Sequence, residues 1–257
     1  MRRVILAVGN LEFVIEHFET LESTMNTAKE LAEKGAKEGT VIIADRQTHG
    51  RGRDDRSWES PEGGLYLSLI LKPDIPANEA HQLIFLSGVA VAKTLSEITE
   101  EKMEIKWPND IVHSYGKIAG VLCETSTVGE ELRYAVLGMG INTNIPHFSY
   151  ELEESAISLL QITKNEYKNR RIAQRILEEI SERYEDFPSN FPQLVGEWRV
   201  LSNILGKEVL LDGEKVKAID VDEQGFLIVE DREGSQRKIL SGTIEYGQSH
   251  VERIKTE

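Results

Sequence analysis

Residues 46–58 read Arg46-Gln-Thr-His-Gly-Arg-Gly-Arg-Asp-Asp-Arg-Ser-Trp58, which puts four guanidinium groups within eleven residues of a chain with a formal net charge of −14. Arginine forks are permanently charged and match the oxygens of carboxylates and phosphates. Gly50 and Gly52 carry no Cβ, so the backbone there can bend sharply and approach a ligand closely. This chemistry suits a small anion bearing carboxylate, phosphate or both. On its own, Arg-Gly-Arg also describes a solvated loop or a nucleic-acid tether. Its position favours the anion site: the segment follows an apolar run at 41–45 and precedes another at 65–71. A long loop between core strands commonly carries function.

A second group of residues lies at Lys106-Trp-Pro-Asn-Asp110, between two strand-like pieces. Pro108 fixes its own φ and biases Trp107 toward an extended conformation, while Asn109 and Asp110 are turn formers that can also face a ligand. Soon after comes Gly116-Lys-Ile-Ala-Gly-Val-Leu-Cys-Glu124, with Lys117 at the mouth of an apolar strand. Trp107 reads as core, Ser23 as a helix N-cap, and Cys123 as a small hydrophobe with no activating neighbour.

The elements that must hold these groups follow from periodicity. The opening ten residues, too briefly apolar for a signal peptide, read as a first strand. Ser23 caps a helix with Asn26 at its third position and Ala28, Leu31 and Ala32 on one face, ending at Gly35. Strands are expected at 41–45 and 65–71. A helix capped by Asn78 should carry Leu83, Ile84, Val89, Ala90 and Leu95 inward. Strands are expected at 103–107, 111–113 and 117–124, then a hairpin loop at 125–130 leading to a strand at 132–137. A helix should span 165–186, with Pro188 helping to end it. From Asn203 onward, strand-like pieces at 208–211, 216–221, 226–229 and 238–240 alternate with turn signals, as in a small barrel.

Composition narrows the class. At 257 residues the chain can hold one large and one small domain, and 40% hydrophobic with 29% charged residues is ordinary for a soluble globular protein. The acidic balance argues against duplex DNA or an anionic membrane as the main partner. It also disfavours RNA binding through the arginine segment. Six histidines without metal-ligand spacing give no structural zinc site, and a single cysteine precludes an internal disulfide, as suits a reducing cytoplasm.

The order of the motifs adds a further signal. Ser23-Thr24, Gln47 with Gly50-Arg-Gly-Arg-Asp-Asp-Arg-Ser-Trp58, Lys106-Trp-Pro-Asn-Asp110, Gly116-Lys-Ile-Ala-Gly120 and Gly138-Met-Gly-Ile-Asn142 together closely resemble the biotin–protein ligases. The resemblance implies an α+β fold. Residues 1–200 would be a catalytic domain, a mixed β-sheet packed with helices like the class II aminoacyl-tRNA synthetases and biotin ligases. Residues 201–257 would be a small SH3-like β-barrel. It implies a two-step, AMP-forming ligase: biotin and ATP give biotinyl-5′-adenylate and pyrophosphate, then a carrier lysine takes the biotinyl group.

By the same resemblance, Lys117, Arg53 and Arg51 are the catalytic residues. Biotin would meet Ser23, Thr24, Met25, Gln47, Arg51, Gly52, Arg53, Lys117 and Gly120. ATP or the adenylate would meet Arg51, Arg53, Trp58, Lys106, Asn109, Lys117 and Asn142. Mg²⁺ would ride with the triphosphate without a protein cage, with Asp110 the candidate carboxylate beside it. The glycine-rich loop would close over the adenylate and shield it from water. The implied partners are a biotin carboxyl carrier domain of a biotin-dependent carboxylase and a second copy of the chain, with no DNA and no membrane, in the cytoplasm. Because Ser23 comes so early, an N-terminal winged helix-turn-helix is not expected, and the reading is a monofunctional ligase. One departure from the pattern is Asp54-Asp55 inside the arginine loop, expected to pair with Arg51 or Arg56. Lipoate–protein ligases and octanoyl transferases share the fold without these arginine and Lys-Trp-Pro-Asn-Asp motifs. A non-catalytic biotin- or nucleotide-binding module is the rival from another class.

Overall fold

A computed structural model describes residues 2–8, 11–114 and 116–246. Eight strands form one mixed sheet: β1 (Arg2–Val8), β2 (Leu11–Leu21), β3 (Thr40–Gln47), β4 (Leu65–Leu71), β5 (Glu104–Lys106), β6 (Asp110–His113), β7 (Gly116–Val128) and β8 (Glu131–Ile141). Their order is β1-β2-β3-β4-β8-β7-β6-β5. The β2–β3 pair is parallel and the other pairs are antiparallel. The helices are α1 (Thr24–Glu33), α2 (Gln82–Thr99), α3 (Leu159–Thr163), α4 (Asn169–Tyr184) and α5 (Phe191–Leu201). The tail adds β9 (Glu208–Leu211), β10 (Glu214–Val221), β11 (Leu227–Glu230), β12 (Gln236–Ile239) and β13 (Ile244–Tyr246), an antiparallel sheet in the order β12-β11-β10-β9-β13.

Strand alternation sorts side chains between two layers, because successive Cβ atoms point to opposite faces. On β4, Leu65, Leu67, Leu69 and Leu71 enter the main core with Leu83, Leu86 and Val89 of α2, while Ile70 joins the opposite cluster. On β8, Leu137, Met139 and Ile141 enter the main core, and Tyr134 and Val136 meet Met25, Ala28 and Ala32 of α1. β4 is therefore covered on both faces and reads as a continuous apolar run. The short helix α1 covers only part of its face, and the candidate site opens beside its N-terminus. Ser23 caps that helix as expected, its Oγ accepting from Asn26 N.

Several boundaries differ from expectation. β2 and the helices α3 and α5 were not read from the sequence. Pro192 lies in the first turn of α5, where a missing N–H leaves no bond unmade. Asn78 does not cap α2. It lies in a 3₁₀ turn, and the helix begins after His81, whose Nδ1 faces the Asn78 carbonyl at 3.0 Å. The loop expected at 125–130 is mostly strand: β7 continues to Val128, and Gly129 makes the turn with φ +63°. The expected helix at 165–186 starts four residues later, because Asn169 is bound to the Gly63 and Gly64 carbonyls. Met1, Gly9 and Asn10 of the expected first strand, and 247–257 of the expected barrel, lie outside the described residues.

Phe85 joins the two sheets. Its ring lies 5.5 Å from Phe191 edge-on and 5.5 Å from Trp198, and a Cβ at Gly225 of the tail would lie 3.1 Å from its Cε2. His81 Nε2 faces the Gln224 carbonyl at 2.6 Å in the same turn. Replacing Phe85 with alanine removes a buried aromatic ring that three elements share. The expected loss is about 3–5 kcal/mol, read as a lower urea midpoint at unchanged m-value.

Candidate active site

The arginine loop is a folded hairpin between β3 and β4. Trp58 N donates to Gly50 O at 2.9 Å, and Gly52 N donates to Arg56 O at 2.8 Å. At its tip Arg56 N donates to Arg53 O, with Asp54 (φ 54°) and Asp55 (φ 57°) between them. Two successive left-handed residues are the signature of a type I′ turn, and aspartate tolerates that region better than most side chains. Asp54 lies 3.4 Å from Arg53, not against Arg51 or Arg56 as expected.

Three cations around the cavity each face a carboxylate. Arg51 Nη2 meets Glu124 Oε1 at 2.9 Å, and Lys29 joins the same carboxylate at 2.6 Å. Arg53 is held by Asp54, by Asn109 Oδ1 at 3.3 Å and by the Gly242 carbonyl at 3.0 Å. Lys117 Nζ meets Asp110 Oδ1 at 2.7 Å. Lys106 lies over the Tyr246 ring, 4.9 Å from its centroid. Burial lowers the Lys106 pKa, opposed by the nearby Asp110 carboxylate and reinforced by the Lys117 charge.

A kink in the sheet aims Lys117. Ile111 of β6 pairs with Ala119, but Val112 pairs with Lys117, so β7 carries one extra residue there. Such bulges re-aim side chains. The Lys117 backbone is fixed by Ser155 O, 2.8 Å from its N–H, and by Ile157 N, 3.1 Å from its carbonyl. Its ammonium also lies 4.9 Å from the Trp58 ring centroid. That indole lies on a floor of Gly120 and Gly140, which face each other on β7 and β8. A Cβ at Gly140 would come within 2.6 Å of Trp58 Nε1, so only glycine leaves room for a flat ring. The indole N–H is buried without a partner among the described residues.

These groups line one cavity of about 340 Å³. Thr24, Met25, Gln47, Arg51, Gly52, Arg53, Trp58, Lys106, Asn109, Asp110, Lys117 and Gly120 all reach it. Ser23 and Asn142 do not line it. Ser23 is buried as the α1 cap. The Asn142 amide donates to the carbonyls of Lys117 (3.0 Å) and Ile157 (3.3 Å), supporting the lysine from behind. Trp107 is buried in the core and also reaches the cavity lining. Burial and the neighbouring Glu124 charge push the Cys123 thiol up to about 12, the wrong direction for a nucleophile. Sequence reasoning missed Tyr66 and the tail residues Gly242, Thr243, Ile244 and Glu245 of the lining. Nothing local marks the tail segment, since it reaches the cavity only through tertiary packing.

The polar end of the cavity is a hydrogen-bonded cluster in which Thr24 Oγ1 keeps one acceptor lone pair. Ser68 Oγ donates to Thr24 Oγ1 (2.9 Å), and Thr24 donates from both N (2.7 Å) and Oγ1 (3.1 Å) to Gln47 Oε1. The opposite end presents Arg53, Lys106 and Lys117. An acid whose far end carries N–H donors, meeting a phosphate near its carboxylate, matches both ends.

The profile of the biotin/lipoate A/B protein ligase family matches residues 17–142, and that of the biotin protein ligase C terminal domain matches residues 204–247. The bifunctional ligase/repressor BirA of Bacillus subtilis is 38% identical over 239 residues, covering 90% of this chain and 73% of that protein. The biotin--[acetyl-CoA-carboxylase] ligase of Mycobacterium tuberculosis is 32% identical over 204 residues, 75% of this chain and 74% of that one. The biotin protein ligase from Aquifex aeolicus in complex with biotin and ATP superposes with a TM-score of 0.79 at 33% identity, covering 91% of this chain and 99% of that one.

The lowered pKa of Lys106 gives a pH signature. The cation that attracts an anion is complete below the folded pKa and is lost as pH rises through it, and that pKa lies below the ordinary 10.5. Inorganic pyrophosphate binding, measured by calorimetry, should therefore weaken on an alkaline limb below pH 10.5. Lys106→Arg should remove that limb, because guanidinium stays charged. A limb unchanged in the arginine variant would assign it elsewhere.

Proposed function

We propose that this chain, which belongs to the biotin/lipoate A/B protein ligase family, is a biotin–protein ligase that makes biotinyl-5′-adenylate and passes biotin to a carrier lysine. The observation that carries the reading is the two-ended cavity: the Thr24–Gln47 polar cluster, with the Thr24 hydroxyl oxygen as acceptor, at one end, and Arg53, Lys106 and Lys117 at the other. The ureido ring of biotin offers N–H donors to the first end and its valeryl carboxylate extends toward the second. The dithiolane of lipoate offers no such donors.

In the first step a biotin carboxylate oxygen forms a bond to the α-phosphorus of ATP, and the bond from that phosphorus to the β-phosphate oxygen breaks, releasing pyrophosphate. Two anions must meet for this, so cations that strengthen their hold as charge redistributes lower the barrier. Lys117 leaves Asp110 to bridge the carboxylate and the α-phosphate. Arg53 lies across the same junction, Arg51 holds the loop over biotin, and Lys106 faces the departing pyrophosphate. Trp58 gives the adenine a flat partner, and Asn109 sets the Arg53 fork through its Oδ1. In the second step the carrier lysine amine attacks the acyl carbonyl, loses its proton, and AMP leaves. Holding the reactants in line supplies much of the acceleration.

Mg²⁺ fits as a companion of the triphosphate: Asp110, freed from Lys117, would face it, and the ion would neutralise phosphate charge. Residues 1–200 form the catalytic unit in this reading and 201–257 the smaller SH3-like module, of which 247–257 lie outside the described residues. A biotin carboxyl carrier domain is the acceptor, and a homodimer in the cytoplasm is the assembly that the family resemblance favours. Among the described residues no helix is long and apolar enough to cross a membrane.

The deciding experiment supplies the purified protein with ATP, Mg²⁺, a carrier domain and either biotin or lipoate. A carrier mass gain with biotin supports the reading; a gain with lipoate alone overturns it, and none with either acid favours a binding module. Lys117→Ala should slow single-turnover adenylate formation by at least about a hundredfold. Wild-type rates in that variant would remove Lys117 from the charge-stabilising role.

A further inference from the structure

Ser60 lies just beyond the arginine loop, buried at 6% exposure, and is absent from the lining of the main cavity. Its hydroxyl accepts from Gln47 Nε2 at 2.8 Å and donates to the Trp58 carbonyl at 3.0 Å. The backbone repeats the tie: Gln47 N donates to Ser60 O at 3.2 Å, and Trp58 N to Gly50 O at 2.9 Å. Gly50 is part of the same knot. A Cβ there would come within 2.4 Å of Trp58 O, 2.5 Å of Ser60 Oγ and 3.0 Å of Gln47 Nε2.

The direction of these bonds is determined. Thr24 N–H can only donate, so the Gln47 atom facing it at 2.7 Å must be the amide oxygen. The amide nitrogen then faces Ser60, whose one proton goes to Trp58 O. The chain of donors runs from Ser68 through Thr24 into Gln47, and from Gln47 through Ser60 into the loop. Without the Ser60 oxygen the amide nitrogen loses its partner, and the Gln47 side chain is anchored only at its oxygen end, by Thr24.

We propose that Ser60 is a positioning residue: it holds the nitrogen end of the Gln47 amide, whose oxygen Thr24 fixes, and ties that amide to the base of the arginine loop. It touches no reacting atom. Recognition of the acid at Gln47 is thereby coupled mechanically to closure of the loop at Trp58, which faces the nucleotide end. This rests on the biotin ligase reading of the cavity.

The test is a double-mutant cycle with steady-state kinetics for both substrates. Ser60→Ala should raise the KM for biotin by about tenfold, the scale of one neutral hydrogen bond, with the KM for ATP within about twofold of wild type. The effect should vanish in the Gln47→Ala background, where there is no amide left to orient. Ser60→Thr keeps the hydroxyl and should restore the KM for biotin to within about threefold of wild type. An alanine effect that persists in full without the Gln47 amide, an equal shift for both substrates, or a threonine variant as impaired as alanine would overturn the proposal. If Ser60→Ala fails to fold, the threonine variant and the pair Gln47→Ala and Gln47→Ala/Ser60→Thr, which should share one KM for biotin, decide it. Wild-type protein inactive with biotin would sink the ligase reading itself, whereas an active wild type with an unaltered Ser60→Ala sinks this inference alone.

Discussion

Like charges crowded into one cavity repel, and a fold that gathers Arg51, Arg53, Lys106 and Lys117 must hold that charge when no anion is present. It does so by giving three of the cations a carboxylate: Glu124 on β7 for Arg51, the adjacent Asp54 for Arg53, and Asp110 on β6 for Lys117. Each pair is partly exposed, so each is weak and exchangeable. A buried, tightly bonded pair would hold the cation against any substrate. Lys106 is handled differently: it is desolvated over an aromatic face and carries a lowered pKa. The cations of the empty cavity are thus partly offset, by partners that an anion can displace or join.

The sheet sets where that exchange takes place. β4 and β8 are fully covered on the α2 side, where leucines alternate into the core, while α1 covers the other face only as far as Met25. Beyond that helix the sheet is surfaced by Gly120 and Gly140, so the floor is backbone. A Cβ at Gly138 would come within 2.5 Å of Met25 Sδ, so the same strand uses missing side chains both to seat α1 and to admit a ring. The tail sheet then closes one wall through Gly242 and Glu245, and its turn at Gln224 and Gly225 packs against His81, Phe85 and Phe191. Packing far from the chemistry therefore fixes the position of a carbonyl that Arg53 depends on.

Much of this was legible in the sequence because the chemistry is concentrated in short motifs. The arginine loop, Lys106-Trp-Pro-Asn-Asp110 and Lys117 are each local, and the structure brings them to one cavity. What the sequence did not disclose depends on pairing across long separations. The bulge that re-aims Lys117 exists only in the register between β6 and β7, and the tail wall only in the packing of two sheets. Ser23 and Asn142 sit within matched motifs yet act from behind the lining, one capping a helix and one bracing the lysine carbonyl. The pair Asp54-Asp55 was read by its charge; its left-handed backbone gives it a role in the turn that charge alone does not indicate.

That turn changes how the loop must work. A glycine-rich loop invites the picture of a floppy lid that orders on the ligand, but here the hairpin has its own ladder, its own I′ tip and a knotted base at Gly50, Trp58 and Ser60. A hairpin so constructed moves as a unit about its base more readily than it melts. The contacts available to release are the ones at its sides: Arg51 to Glu124 and Asn26, and Arg53 to Asn109 and Gly242. These are side-chain bonds to atoms the substrate can replace, while the backbone bonds are not. Binding two anions then exchanges guanidinium partners around a preformed hairpin, and the entropic cost of ordering a free loop is largely avoided.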